Sequence, residues 1–426
     1  MHYLLTPVGS SGDVHPYLAI GRELRRRGHD VTLVAAEPFA SGAEDAGCRF
    51  VSNWSAEEFH ELANHPDLWH PRRGIQLVLG LAAREARRAY EQLEALYEPG
   101  RTVLVGHGLS FATRILEERH GVPAATIQLA PSVFRSLLDV AAPAPGRDIS
   151  GWPRWVKQAM WWAVDRVMID PAIGTAVNEL RADVGLPPVQ RVFRSWIHSP
   201  RMVLAMFPDW FARAQPDWPP QVRQLSFPRS DVGEGEPLDP ALTRFLDAGE
   251  PPLAFTPGSA NRQAAFFFEA AVRAARDLGR RALLLTRYAE QLPADLPAGV
   301  RHVPYAPFSM LLPRCAALVH HGGIGTCAQG LAAGIPQLVM PMSFDQPDNA
   351  TRLARIGAGT WLTPSAFRAG TRLASTLASL LDDPGVAQAC ARWREALARV
   401  DAIRLACDAL EELTEPARAA LATPSG

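Results

Sequence analysis

Two histidines, a run of glycines and a threonine stand together at His320-His321-Gly322-Gly323-Ile324-Gly325-Thr326, and an Asp345-Gln346 pair follows after one more apolar run. Glycines let another group come close to the backbone. A helix opening just beyond them offers unpaired N–H groups and the positive end of its dipole to an anion such as phosphate. The imidazoles and the Thr326 hydroxyl add donors, and Asp345 and Gln346 can bond the hydroxyls of a polyol. Residue types in this order suit a diphosphate with a polyol attached, as in a nucleotide-sugar.

A second loop near the start, Gly9-Ser10-Ser11-Gly12-Asp13-Val14-His15-Pro16, holds two ionisable groups, Asp13 and His15. Either type can act as general base toward a hydroxyl. Asp13 can equally cap the helix that follows, and both readings stand at this level. No D-x-D motif is present, and no metal is expected.

These residues need elements to hold them. His2 to Val8, Val31 to Ala36, Arg101 to Val105 and Ala124 to Leu129 read as strands, with helices between, the first from Val14 to Arg27. After a stretch rich in Pro, Gly and acids the pattern restarts with strands at Leu253–Thr256, Ala282–Thr286, Val300–Val303, Ala317–His320 and Gln337–Met340. Such alternation predicts parallel sheets covered on both faces. The expected class is α/β, with two Rossmann-like domains facing across a cleft, a preferred place for ligands. The expected boundaries are 1–213 for the first domain, 214–250 for a linker, including Gly233-Glu234-Gly235-Glu236-Pro237, and 251–400 for the second. Helical, aromatic-rich segments are expected at about 55–98 and 133–200.

Composition excludes several alternatives. A chain of 426 residues suits two domains. A net charge of −1 provides no basic field for nucleic acid. Lys157 is the one lysine, which argues against a pyridoxal Schiff base and a Walker loop. The five scattered cysteines form no C-x-x-C and favour a reducing cytoplasm. The N-terminus lacks a signal peptide pattern, and no apolar run is long enough to span a membrane. One rival remains: Gly323 to Ala328 also fits the G-x-G-x-x-A fingerprint of NAD-dependent oxidoreductases. Against it, the fingerprint opens its domain in those proteins, whereas here it comes late.

The H-H-G-G-x-G-T…G-x-P…P…D-Q order resembles the donor-binding signature of family 1 glycosyltransferases, two-domain GT-B enzymes. His65-Pro66-Asp67-Leu68-Trp69, Trp196-Ile197-His198-Ser199-Pro200 and Phe207-Pro208-Asp209-Trp210-Phe211 resemble bacterial rhamnosyltransferases of mono-rhamnolipid synthesis. The resemblance implies an inverting, metal-independent transfer of L-rhamnose from dTDP-L-rhamnose to a 3-(3-hydroxyalkanoyloxy)alkanoate, with no cofactor. A UDP-sugar donor, or another sugar passed to a lipid or polyketide, is the nearest alternative, and a catalytically silent activator is another.

The resemblance also implies roles. Asp13 falls at the position of the catalytic base, with His15 beside it and His107 as helper. His321, Gly323, the Gly325 and Thr326 N–H groups and Ser259 would hold the diphosphate. Tyr305, with Ala306, would face the base and Gln329 the ribose, where an uncharged residue hints at dTDP. Asp345 and Gln346 would bind the sugar. A last helix, about 401–426, would cross back to the first domain. The Trp-rich stretch Gly151–Ile169 reads either as packed helices or as a lipid-binding wall. An apolar acceptor with a carboxylate would suit a pocket with an arginine at its mouth. Implied partners are the nucleotide-sugar, a hydroxyacyl lipid, an acyltransferase subunit and the inner membrane surface.

Overall fold

Short runs of Val, Leu and Ala buried on both faces become parallel strands, because helical crossovers cover each side of the sheet. The computed structural model describes residues 1–229 and 237–414. The first sheet holds β1 (His2–Thr6), β2 (Asp30–Ala36), β3 (Arg49–Trp54), β4 (Thr102–His107), β5 (Ala124–Gln128), β6 (Val203–Ala205) and β7 (Val222–Gln224). Their order is β3-β2-β1-β4-β5-β6-β7, parallel throughout. The second holds β8 (Leu253–Thr256), β9 (Ala282–Leu285), β10 (Val300–Val303), β11 (Ala317–His320), β12 (Gln337–Val339) and β13 (Gly359–Trp361). Its order, β10-β9-β8-β11-β12-β13, repeats the first, again parallel throughout.

Both orders reverse once, between β1 and β4 and between β8 and β11. Ligands of doubly wound sheets sit at the carboxyl ends of the strands at that switch. The two glycine loops lie there, one after β1 and the other after β11. Each leads into a helix, Ser11–Arg26 and Ile324–Ala333. The first helix is amphipathic: Val14, Tyr17, Leu18, Gly21 and Leu24 are buried against the sheet.

Two elements fall within the stretch expected as linker. Strand β7 extends the first sheet beside β6. Helix Pro240–Asp247 buries Leu242 and Leu246 with Ala254 and Leu283 of the second domain. The connection between the domains is therefore shorter than 214–250. Gly233 to Glu236 lie outside the described residues. Strands β6, β7 and β13 are three residues each, too short for a periodic signal. The region 133–200 is less helical than expected: helices run Arg154–Val164 and Asp170–Asp183, while the proline-bearing stretches at 137–153 and 184–200 have none.

Helix Ala402–Glu412 lies back on the first domain. Arg27 Nη1 is 2.7 Å from both Asp408 Oδ1 and Glu411 Oε2. In the preceding helix, Pro384–Ala398, Trp393 stacks on Trp210 of the first domain at 4.4 Å. Residues 415–426 lie outside the described residues.

Candidate active site

The turn after β11 is built around its two histidines. His320 is fully buried, and its Nδ1 accepts the Gly322 N–H at 3.1 Å, so it shapes the turn itself. His321 points into the cleft between two glycines. A Cβ on Gly258 or on Gly323 would lie 2.6 Å from the His321 ring, so only glycine fits at either place. Burial pushes His321 down to about 4, leaving a neutral imidazole at pH 7 that donates one N–H. Its Nδ1 is buried with no partner among the described residues. Trp69, from the first domain, meets the His321 ring edge-on at 6.4 Å and the Phe344 ring at 6.0 Å.

Helix Ile324–Ala333 begins at Gly323, so the N–H groups of Gly325 and Thr326 fall in its first turn, where no backbone partner exists. A Cβ on Gly325 would meet Gly12 Cα at 3.6 Å. The two glycine loops therefore touch, and two helix N-termini converge on one place. Ser259, on the loop after β8, lines the same place.

Asp345 follows β12 on a loop that Gln346 organises. Gln346 is buried, and its Oε1 accepts the N–H groups of Met342 at 2.8 Å and Ser343 at 3.1 Å. Its carbonyl end is thus committed to the loop. Asn349 donates to Asp345 Oδ2 at 2.7 Å and to Gly322 O at 2.9 Å, tying the carboxylate to the glycine turn. Burial pushes Asp345 up to about 7; the Asn349 bond opposes the shift and the Asp13 charge adds to it.

Asp13 accepts from Ser10 N at 2.7 Å and Ser10 Oγ at 3.2 Å, both on Oδ2. It closes a capping box from the third helical position. Burial pushes its carboxyl up to about 6, against the two Ser10 bonds. It lines a cavity of about 850 Å³ that is mostly apolar and reaches from both glycine loops to the helices of residues 56–96 and 154–169. His107 lines it too, but its Nδ1 accepts the Leu109 N–H at 3.2 Å. The neutral ring, held down to about 4 by burial, then carries its proton on Nε2 and donates rather than accepts. It does not serve as a second base in this arrangement.

His15 does not join Asp13. It lines a smaller cavity of about 180 Å³ together with Tyr305, Ala306, Gln329, Thr326 and Arg287. Burial, with the Arg287 charge, pushes His15 down to about 4. The Arg287 guanidinium lies 5.3 Å from the Tyr305 ring centre. The helix starting at Ser11 thus turns Asp13 to one cavity and His15 to the other. Among the described residues, no group of three or more His, Cys, Asp and Glu is arranged to hold a metal. No described helix is long and apolar enough to cross a membrane.

Sequence comparison matches residues 3–136 to the family 28 glycosyltransferase N-terminal domain and residues 282–407 to the erythromycin biosynthesis protein CIII-like C-terminal domain. The O-mycaminosyltylonolide 6-deoxyallosyltransferase of Streptomyces fradiae is 32% identical, covering 97% of this chain and 98% of its own. The chain belongs to the GT-B glycosyltransferases. The matching N-terminal domain is described as family 28, where the sequence signature resembled family 1. The vancomycin aglycone glucosyltransferase of Amycolatopsis orientalis is 26% identical over 88% of this chain and 94% of its own. Solved structures agree in fold. The kitacinnamycin glycosyltransferase superposes with a TM-score of 0.73 at 22% identity, covering 97% and 99% of the two chains. A spinosyn rhamnosyltransferase complexed with thymidine diphosphate gives 0.68 at 18%, covering 96% and 100%.

In this glycosyltransferase three residues without a role in the sequence reading stand at the site: Arg287, Asn349 and Trp69. Arg287 follows β9 at its carboxyl end, a position that could have marked it. Asn349 lies one helical turn after Asp345, the spacing that lets two side chains meet. Two of the three segments whose resemblance pointed to rhamnosyltransferases supply packing contacts. His198 stacks on Phe134 at 5.4 Å, and Trp210 on Trp393.

Proposed function

We propose that this glycosyltransferase moves a 6-deoxyhexose from a dTDP-sugar to a hydroxyl of an apolar acceptor, with inversion at the anomeric carbon. The observation that carries this reading is the contact of the two glycine loops between two unlike cavities. Asp13 lines the larger cavity, and His15, Arg287 and Tyr305 line the smaller one.

The nucleotide base and ribose would occupy the smaller cavity, against Tyr305, Ala306 and Gln329. Arg287 and neutral His15 would serve that side. The diphosphate would lie at the paired helix starts, held by the Gly325 and Thr326 N–H groups, Ser259 and the His321 N–H. These donors strengthen as negative charge develops on the leaving group. Asp345 would accept from sugar hydroxyls, and Gln346 would act by fixing the loop that carries it. Asp13 would take the proton of the acceptor hydroxyl. The oxygen attacks the anomeric carbon as the bond to the β-phosphate oxygen breaks on the opposite face, and the nucleoside diphosphate leaves.

L-Rhamnose and a 3-(3-hydroxyalkanoyloxy)alkanoate are the specific donor sugar and acceptor proposed, on the resemblance of the His65–Trp69 segment, which lies in the cleft. A macrolide or glycopeptide aglycone is the second reading, favoured by what the relatives act on. The test is to incubate pure protein with dTDP-rhamnose or UDP-glucose and, separately, a hydroxyacyl lipid or a macrolide aglycone. Product masses decide: the lipid plus one deoxyhexose supports the first reading, a glycosylated aglycone the second. Absence of transfer with every pair, together with nicotinamide binding, overturns both.

A further inference from the structure

The large cavity carries one cationic side chain. Arg135 is the one Arg or Lys among its described lining residues, and its side chain is only 9% exposed. The guanidinium is held from two directions. Nη2 lies 2.9 Å from Asp165 Oδ1, and the group stacks 4.2 Å from the centre of the Trp161 ring. Nη1 is buried and has no partner among the described residues. A buried guanidinium N–H left unpaired is costly and rare, and is satisfied by a ligand when one binds.

Asp165 is 3% exposed and faces two guanidiniums, Arg135 and Arg191, the latter 3.7 Å away. The nearby Asp170 carboxyl is raised by burial and by the Asp165 charge, with Arg166, Arg191 and Arg135 opposing. Asp165 also opens a π-helical turn, Asp165–Ile169, between the two helices of this wall. Such turns are frequent at functional sites.

We propose that Arg135 anchors the acceptor: its Nη1 binds a carboxylate on an otherwise apolar molecule whose hydroxyl lies at Asp13. This rests on the transfer reading above and narrows its acceptor to an amphiphilic acid. Charge-assisted bonds of guanidinium to carboxylate are the strong ones, and the apolar wall excludes competing water.

The experiment titrates 3-hydroxydecanoate and its methyl ester calorimetrically into wild type, Arg135→Lys and Arg135→Met. Wild type is expected to bind the acid about tenfold or more tightly than the ester. Arg135→Lys keeps part of the preference, and Arg135→Met loses it, with dTDP affinity unchanged in each. If Arg135→Met does not fold, the pair Arg135→Met with Asp165→Leu removes both charges and tests the same preference. Equal binding of acid and ester, binding of neither, or a preference that survives in the Met variant overturns the anchor. Sugar transfer to the neutral ester is measured alongside. Transfer without acid preference removes the anchor and leaves the transferase; acid preference without transfer to any acceptor does the reverse.

Discussion

Asp13 caps the first helix through Oδ2 and lines the large cavity proposed for the acceptor. As a base it works only when ionised. Burial sets its carboxyl at about 6, so kcat/KM for transfer should fall as pH drops through that value and level off above it. The Asp13 charge in turn adds to the upward shift of Asp345. A pH profile flat from 5 to 8 would count against Asp13 as base. Asp345 gives a second prediction, on stability. Its carboxyl is raised from 3.8 to about 7, so the folded protein holds the proton more tightly than the unfolded chain. The cost of ionising it is absent below the unfolded value and complete above the folded one. Asp345→Asn removes that cost, on the order of 1–3 kcal/mol once partial solvent exposure is allowed for. Calorimetric melting should show a larger gain at pH 8 than at pH 5, with donor turnover lost. A loss of stability at pH 8 would contradict this.

The glycine turns show which parts of the site are written locally. Gly258, at φ +94, and Gly322, at φ +96, need their backbone conformations, and the spacing of glycines with His320 and His321 is visible in the chain itself. Gly258→Ala is expected to lower the melting temperature and abolish dTDP binding, because the methyl group meets the His321 ring. Gly325→Ala meets Gly12 only at ordinary contact distance and should fold normally. Normal dTDP affinity in Gly258→Ala, measured by calorimetry, would show that His321 is not held by this cradle. The pattern of strands and both glycine loops was legible for the same local reason. The assignment of His15 was not: which cavity a residue faces depends on the rotation of helix Ser11–Arg26 on its sheet. Gln346 likewise matched a pattern whose oxygen turns out to hold its own loop. Arg287 and Asn349 act through neighbours distant in sequence or across a helical turn, and single residues of this kind leave no periodic trace.

At the scale of the molecule, two similar sheets make one cleft, and contacts across it set its width. Arg352 bridges Asp139 of the first domain and Asp348 of the second, each at 2.8 Å. Asn64 and His65 accept from Arg262 and Gln263 at 3.1 Å on the other side. The Trp210–Trp393 stack fastens the returning helices. Trp393→Ala should cost about 3–5 kcal/mol in unfolding free energy, read by denaturant titration. A change within experimental error would mean that the stack does not join the halves. The resemblance that implied the returning helix covered most of the chain, which is why the overall arrangement was legible while the cavity wall around Arg135 was not. The most direct test of the proposed chemistry is single-turnover sugar transfer by Asp13→Asn, with dTDP affinity measured on the same preparation. Transfer should fall by about 10²–10⁴-fold with dTDP affinity unchanged. Transfer at the wild-type rate would leave Asp13 as a helix cap and place the base elsewhere.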